Sequence, residues 1–290
     1  MIESKSWNWD IVDKNDFYWN SPAPEVFYLA ENWKSKNFKS ILDVGCGWGR
    51  NAIFLAKHGF KLDGFDLSKT SVDTTIEKAK EQGFDFSNFV VADMLNFPYN
   101  DNTFDALLAM NVISHTDKEG FLQILNEIKR VLKPGGEAYF TLGSKESYWF
   151  NNPVCTYVDE NTRIRIEDGP ENGIPHFYID DEDCKTLFND FKIIKINNVR
   201  ELTQYGNFSP HYHIWIKKYH KKSRTNLFCF LLFINFIQLH PFSRGLRHRT
   251  CSSLYSSSSS VLGRTKIKEP AFADSLFLVA PRRIELRSLA

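Results

Sequence analysis

Three glycines and three aspartates carry the clearest chemical signal in this sequence. The glycines stand at 45, 47 and 49 in Leu42-Asp43-Val44-Gly45-Cys46-Gly47-Trp48-Gly49, where a short apolar run feeds a turn. Such glycines let a ligand approach the backbone closely, and the first strand of an open parallel sheet is where the ligand crevice lies. Asp66 closes the next apolar run, 23 residues beyond Asp43, a position from which a carboxylate accepts hydrogen bonds from a ribose diol. Asp93 closes the third run, placed to receive an adenine amino group. Three strand-end features aimed at one crevice describe a nucleotide-type site.

The glycine spacing selects among nucleotides. A dinucleotide fingerprint is G-x-G-x-x-G and feeds pyrophosphate to a helix N-terminus. Here the third glycine comes one residue early, and Asp43 stands two residues before the first. A carboxylate at that point repels pyrophosphate and suits the ammonium of a methionine tail. The expected cofactor is therefore S-adenosylmethionine, with a nicotinamide-dependent oxidoreductase as the disfavoured rival. A non-enzymatic protein that only binds the cofactor is the second alternative.

Asp43-Val44-Gly45-Cys46-Gly47-Trp48-Gly49, Phe65-Asp66-Leu67-Ser68, Ala92-Asp93-Met94, Phe104-Asp105 and Arg130-Val131-Leu132-Lys133-Pro134-Gly135-Gly136 resemble the successive motifs of class I methyltransferases. They occur in the right order and spacing and cover Ile41 to Leu142. Gly49-Arg50-Asn51-Ala52-Ile53-Phe54-Leu55-Ala56 further resembles the tellurite-resistance-type branch. The resemblance implies that Gly45, Gly47 and Gly49, with Asp43 and Cys46 in the same turn, contact the methionine tail. It implies that Asp66 and Leu67 hold the ribose, Asp93 and Met94 the adenine, and Asn111 the sulfonium side. The implied activity is methyl transfer to a small molecule. The implied fold is α/β, a Rossmann-like doubly wound sheet of seven strands, mostly parallel with the last antiparallel.

Candidate acceptor-side groups lie beyond these motifs. His115 follows the fourth apolar run and either faces the transferred methyl or fixes the turn before the next helix. The turn-rich stretch from Gly143 to Ile179 leaves the rim where substrate enters, and forms either a lid or a surface insertion. If it is a lid, His176 and Tyr178 belong to the acceptor pocket and join His115 as the candidate catalytic residues. His211 and His213 share one face of a strand, but no third ligand accompanies them, so no metal site is expected. Trp7, Trp9, Phe17, Tyr18, Trp19, Phe27, Tyr28 and Trp33 crowd the N-terminal 39 residues, either as packing or as a cap over the cofactor with Tyr18 and Trp19 closest.

Alternating apolar runs and helix-period segments between Ser40 and Ser144 must position these groups, as in consecutive βαβ units. The pattern predicts strands at Ile41–Val44, Lys61–Phe65, Phe89–Ala92, Phe104–Met110 and Ala138–Leu142. It predicts helices from Arg50 to His58, from the Ser68 cap to Gly83, and over Lys118–Leu132. Phe121, Ile124, Leu125, Ile128 and Val131 share one face of the last of these, and Lys129, Arg130 and Lys133 are expected to meet its dipole. A short helix near Glu182–Phe188 precedes two strands, Lys192–Val199 and His211–Lys218, expected to pair antiparallel.

Composition divides the chain. Residues 1–222 hold 21 Lys and 5 Arg against 32 acids, a net of −6, whereas residues 223–290 hold 2 Lys and 8 Arg against 3 acids, a net of +7. The domain is expected to span 40–222. The tail at 223–290 is expected to be dispensable, a fused or read-through segment, against the alternative of a basic arm that docks on a membrane or nucleic acid. The longest apolar run, Leu227 to Leu239, is shorter than the ~18 residues of a spanning helix. Five scattered cysteines without a Cys-x-x-Cys pair point to a reducing cytoplasm. A small-molecule substrate is expected, with neither nucleic-acid nor membrane partners; the oligomeric state stays open.

Overall fold

The computed structural model describes residues 2–13, 16–166, 168–200 and 208–220. The tail at 223–290, with the expectations attached to it, lies outside the described residues. A single 3-10 turn, Trp9–Ile11, precedes α1 (Phe17–Asn20) and α2 (Pro24–Ser35). Then follow β1 (Ser40–Val44), α3 (Arg50–Lys57), β2 (Lys61–Asp66), α4 (Lys69–Glu81), β3 (Phe89–Val91), β4 (Phe104–Ala109), α5 (Lys118–Val131) and β5 (Leu132–Ser144). The remainder comprises α6 (Tyr148–Asn151), β6 (Thr156–Tyr157), β7 (Thr162–Ile164), β8 (Pro175–Ile179), α7 (Asp181–Leu187), β9 (Phe191–Val199) and β10 (His211–Lys218).

The main sheet runs β3-β2-β1-β4-β5-β10-β9. Its first five strands are parallel, and β10 is antiparallel to both β5 and β9. Chain order reverses between β1 and β4, which opens a crevice at their carboxyl ends. The expected seven strands correspond to this sheet. Three more, β6 to β8, hang from the end of β5 through the pairs Gly143↔Tyr178 and Ser144↔Ile179. The stretch expected as a lid or surface insertion thus contains a small antiparallel sheet. Its strands are two to five residues long, and turn residues crowd between them.

Alternation along the central strands explains why helices cover both faces. Leu42, Val44, Leu107, Ala109, Ala138, Phe140 and Leu142 pack with the apolar stripe of α5. Ile41, Ala106, Leu108 and Tyr139 pack with α2, α3 and α4. The α2 helix begins with Pro24 at its first turn and buries Val26, Leu29, Ala30 and Trp33, a helical spacing. Asp117 caps α5 by accepting from the Gly120 N–H at 2.8 Å. The cations at the end of α5 each have specific partners. Arg130 bonds Glu127, Asp101 and the Phe97 and Tyr99 carbonyls, while Lys133 pairs with Asp105 and Lys129 with Asp190. No helix among the described residues is long and apolar enough to cross a membrane.

Candidate functional site

A cavity of about 450 Å³ opens at the switch point between β1 and β4. Gly45, Cys46 and Gly47 of the turn after β1 form one wall, with Asp66 and Leu67 after β2, and Asp93 and Met94 after β3. Asp66 Oδ2 accepts from the Gly47 N–H at 3.0 Å and Oδ1 from the Ser68 N–H at 2.9 Å, so one carboxylate ties two strand ends together. Burial raises its carboxyl above the ordinary range, and these backbone donors oppose the shift. Asn111 lies after β4 with φ of 55°, its N–H donating to Thr141 Oγ1 at 2.8 Å. The glycine turn is also a packing requirement. A Cβ on Gly45 would meet Val112 at 2.3 Å, and one on Gly47 would meet the Trp9 indole at 2.8 Å.

The same cavity continues to a second cluster. Its walls there are Ser114 and His115 after β4, Arg165 and Glu171 of the β7–β8 hairpin, His176 on β8 and His211 on β10. The Phe177 N–H donates to the Ser114 carbonyl at 2.7 Å, which holds β8 against the loop after β4. The His115 and His176 rings consequently lie 4.7 Å apart, edge to face. Glu171 Oε1 faces both, 3.8 Å from His115 Nε2 and 3.6 Å from His176 Nε2. Burial holds the His115 imidazole well below its ordinary range, with His176, Arg165 and His211 adding to the effect, and burial likewise brings His211 down to about 4.

The N-terminal segment roofs the cavity. Ser4 Oγ donates to Asp93 Oδ1 at 2.8 Å, the Ile2 N–H to Asp117 Oδ2 at 2.7 Å, and the Asn8 N–H to the Pro170 carbonyl at 3.1 Å. Trp7, Trp9 and Trp19 meet edge to face with centroids 4.6 to 5.4 Å apart, and Trp9 reaches Trp48 at 5.0 Å. The Arg50 guanidinium covers the Tyr18 and Trp19 rings.

Residues 41–136 match the family model described as a methyltransferase domain. Among curated proteins, norajmaline N-methyltransferase of Rauvolfia serpentina is 41% identical over 104 residues, 35% of each chain. A sterol 24-C-methyltransferase of Gibberella zeae is 38% identical over 160 residues, 54% of this chain and 40% of that one. A crystal structure of a S-adenosylmethionine-dependent methyltransferase from Methanosarcina mazei has the same fold, with a TM-score of 0.56 and 19% identity over 69% of this chain and all of that one. Residues 41–136 thus carry the signature of a methyltransferase domain, on the fold of that crystal structure. The chain spans about a third to two fifths of the length of the two curated relatives.

Within this methyltransferase fold, the candidate residues fall in three places. Gly45, Cys46, Gly47, Asp66, Leu67, Asp93, Met94 and Asn111 line the cavity, as do His115 and His176. Asp43 and Gly49 lie behind the wall instead. Asp43 is buried on the α3 side of β1, and its Oδ2 has no hydrogen-bond partner among the described residues. Gly49 sits against Thr75 of α4. Tyr178 is buried beneath Gly143 and beside Phe150, two residues along β8 from the cavity-facing His176, with the two rings 6.2 Å apart. His211 faces the cavity, whereas His213 lies near Tyr139 Oη at 2.9 Å and Glu25 at 3.5 Å. Arg165 and Glu171 had no role in the sequence reading. The available signal was the turn-rich Asp168–Gly173 segment, which makes a hairpin and sends both side chains back to the histidines. The family model's residues end at 136, so Arg165, Glu171, His176 and His211 lie outside the matched region.

Proposed function

We propose that this chain transfers a methyl group from S-adenosylmethionine to a small-molecule acceptor. The observation that carries the proposal is the continuity of one cavity from the glycine turn and the strand-end aspartates to the histidine cluster. Its volume falls within the ~300–1,000 Å³ of small-molecule sites. The residues present suit the cofactor. The turn brings bare backbone to the wall, Asp66 and Asp93 offer carboxylate acceptors at separate strand ends, and aromatic rings close the roof.

When bound, S-adenosylmethionine supplies a methyl group already activated on a sulfonium. The protein must then place a nucleophile in line and exclude water, and placement alone is worth effective molarities on the order of 10⁵–10⁸ M. The Trp7, Trp9 and Trp19 roof excludes water. His115, His176 and His211 form the acceptor end, where the His115 and His211 imidazoles, held neutral by burial, accept hydrogen bonds from an acceptor O–H or N–H. The two curated relatives are named for norajmaline and a sterol, which supports a small-molecule acceptor. The buried free thiols of Cys46, Cys155 and Cys184 support a reducing, cytoplasmic setting.

Calorimetry is expected to show S-adenosylmethionine and S-adenosylhomocysteine binding and no comparable signal from NAD. Gly47→Val, whose side chain fills the cofactor's approach to the backbone and strikes Trp9 of the roof, should abolish that binding. Release of S-adenosylhomocysteine with a member of a metabolite panel completes the case. Binding without release for any acceptor would favour the cofactor-binding alternative, and tight NAD binding would end the proposal.

A further inference from the structure

We propose that His115, Glu171 and His176 bind a divalent transition-metal ion of the zinc type at the acceptor end of the cavity. One atom from each side chain, the two Nε2 and one carboxylate oxygen, lies within 4.8 Å of the other two. Tetrahedral zinc, with bonds of about 2.0–2.2 Å, holds its ligand atoms about 3.3–3.5 Å apart. The observed separations of 3.8 and 3.6 Å from Glu171 Oε1 to the two nitrogens are within a few tenths of an ångström of that, and the two histidine ligand atoms, no more than 4.8 Å apart, close on the ion by side-chain rotation.

The surroundings are those of a ligand set. His176 Nδ1 lies 3.0 Å from the Ile174 carbonyl, so its Nδ1–H donates there and its Nε2 lone pair points toward the cluster. Glu171 uses its other oxygen, Oε2, for Arg165, which orients the carboxylate and leaves Oε1 for the ion. Two imidazoles and one carboxylate select ions such as Zn²⁺ or Co²⁺ over Mg²⁺ and Ca²⁺, which prefer oxygen. Three protein ligands leave a coordination position open to the cavity.

That open position defines the acceptor class. An acceptor hydroxyl coordinated there would release its proton to solvent water more readily, and an acceptor carboxylate would be held as the anion it already is; either would face the cofactor half of the cavity as an oxyanion. Such an acceptor would itself supply the nucleophile for the in-line transfer. Arg165 places a second cation at the same end, so an oxyanion is the favoured partner of both.

The ion-binding claim rests on the three side chains and not on methyl transfer, so the two readings fail separately. The test is titration of the metal-stripped full chain with Co²⁺ alone, followed by visible absorption. One equivalent is expected to give the intense band of a low-coordinate nitrogen–oxygen site, and Mg²⁺ should not displace it. Glu171→Gln and His176→Gln should each weaken Co²⁺ binding by tenfold or more. Zn²⁺ should raise the melting temperature of the parent chain and not of either variant. If either variant fails to fold, His115→Gln provides the same comparison. No such band in the parent chain, or the same band and affinity in the folded variants, would overturn the assignment.

Discussion

Asp43 shows how far residue type alone can be pressed. Burial pushes its carboxyl up to about 7, the Asp66 charge adds to the rise, and Arg50 and the Ala52 N–H oppose it. The folded chain therefore holds this proton to higher pH than the unfolded chain, whose carboxyl titrates near 3.8. No destabilisation arises below about pH 4; it grows through the interval up to about 7 and is complete above it. Asp43→Asn should match the parent's unfolding free energy at pH 4 and exceed it at pH 8, by up to roughly 4 kcal/mol. Urea melts at the two pH values measure this, and a pH-independent difference would contradict it. The sequence pattern revealed that an acid belongs before the glycine turn. It did not reveal that the acid lies behind the turn, because the inward or outward sense of a strand residue depends on which helices cover each face. Glu171 was illegible for a similar reason: it meets His115 across 56 residues of chain, and no local spacing records that contact.

At the level of elements, periodicity located the central strands and helices to within about two residues, except β5, which begins at Leu132 and runs through the Pro134-Gly135-Gly136 turn expected to precede it. The β6–β8 sheet escaped, since strands of two to five residues offer no period to detect. The α2 helix escaped too, its spacing hidden among aromatics that read equally well as a cap. Its attachment to the sheet is testable. Lys36, just past the end of α2, pairs with Glu137 of β5 at 2.8 Å, and Glu137 is 1% exposed while also accepting from Trp215 Nε1 at 3.1 Å. Lys217 is a more distant cation at 3.8 Å. Lys36→Met removes the closer charge and should lower stability by about 1–3 kcal/mol, because Glu137 stays buried with less compensation. Chemical denaturation gives the value. Glu137→Gln with Lys36→Met should recover part of the loss, and a purely additive double variant would show that the ion pair is not what joins these elements.

For the whole molecule, the mostly parallel sheet and the function class were legible together because strand-end chemistry at the switch point is local in sequence. The acceptor end was not, being assembled from loops and strands spread from His115 to His211. Both edges of β10 are paired by its end at Lys218, so the described sheet needs no later residues to complete it. A chain ending at Lys222 is expected to keep the parent's melting temperature and S-adenosylmethionine affinity. Loss of either would show that residues 223–290 support the domain. The roof over the cavity has a further, optical consequence. Four of the seven tryptophans, Trp7, Trp9, Trp19 and Trp48, line the cavity, with centroid contacts of 4.6 to 5.4 Å linking them into one group. Indoles at such separations exchange excitation before they emit, so the group behaves as a single chromophore. A sulfonium or adenine entering beneath it will quench most of the protein's ultraviolet fluorescence and alter its near-ultraviolet circular dichroism, giving this chain a built-in, label-free signal of cofactor arrival.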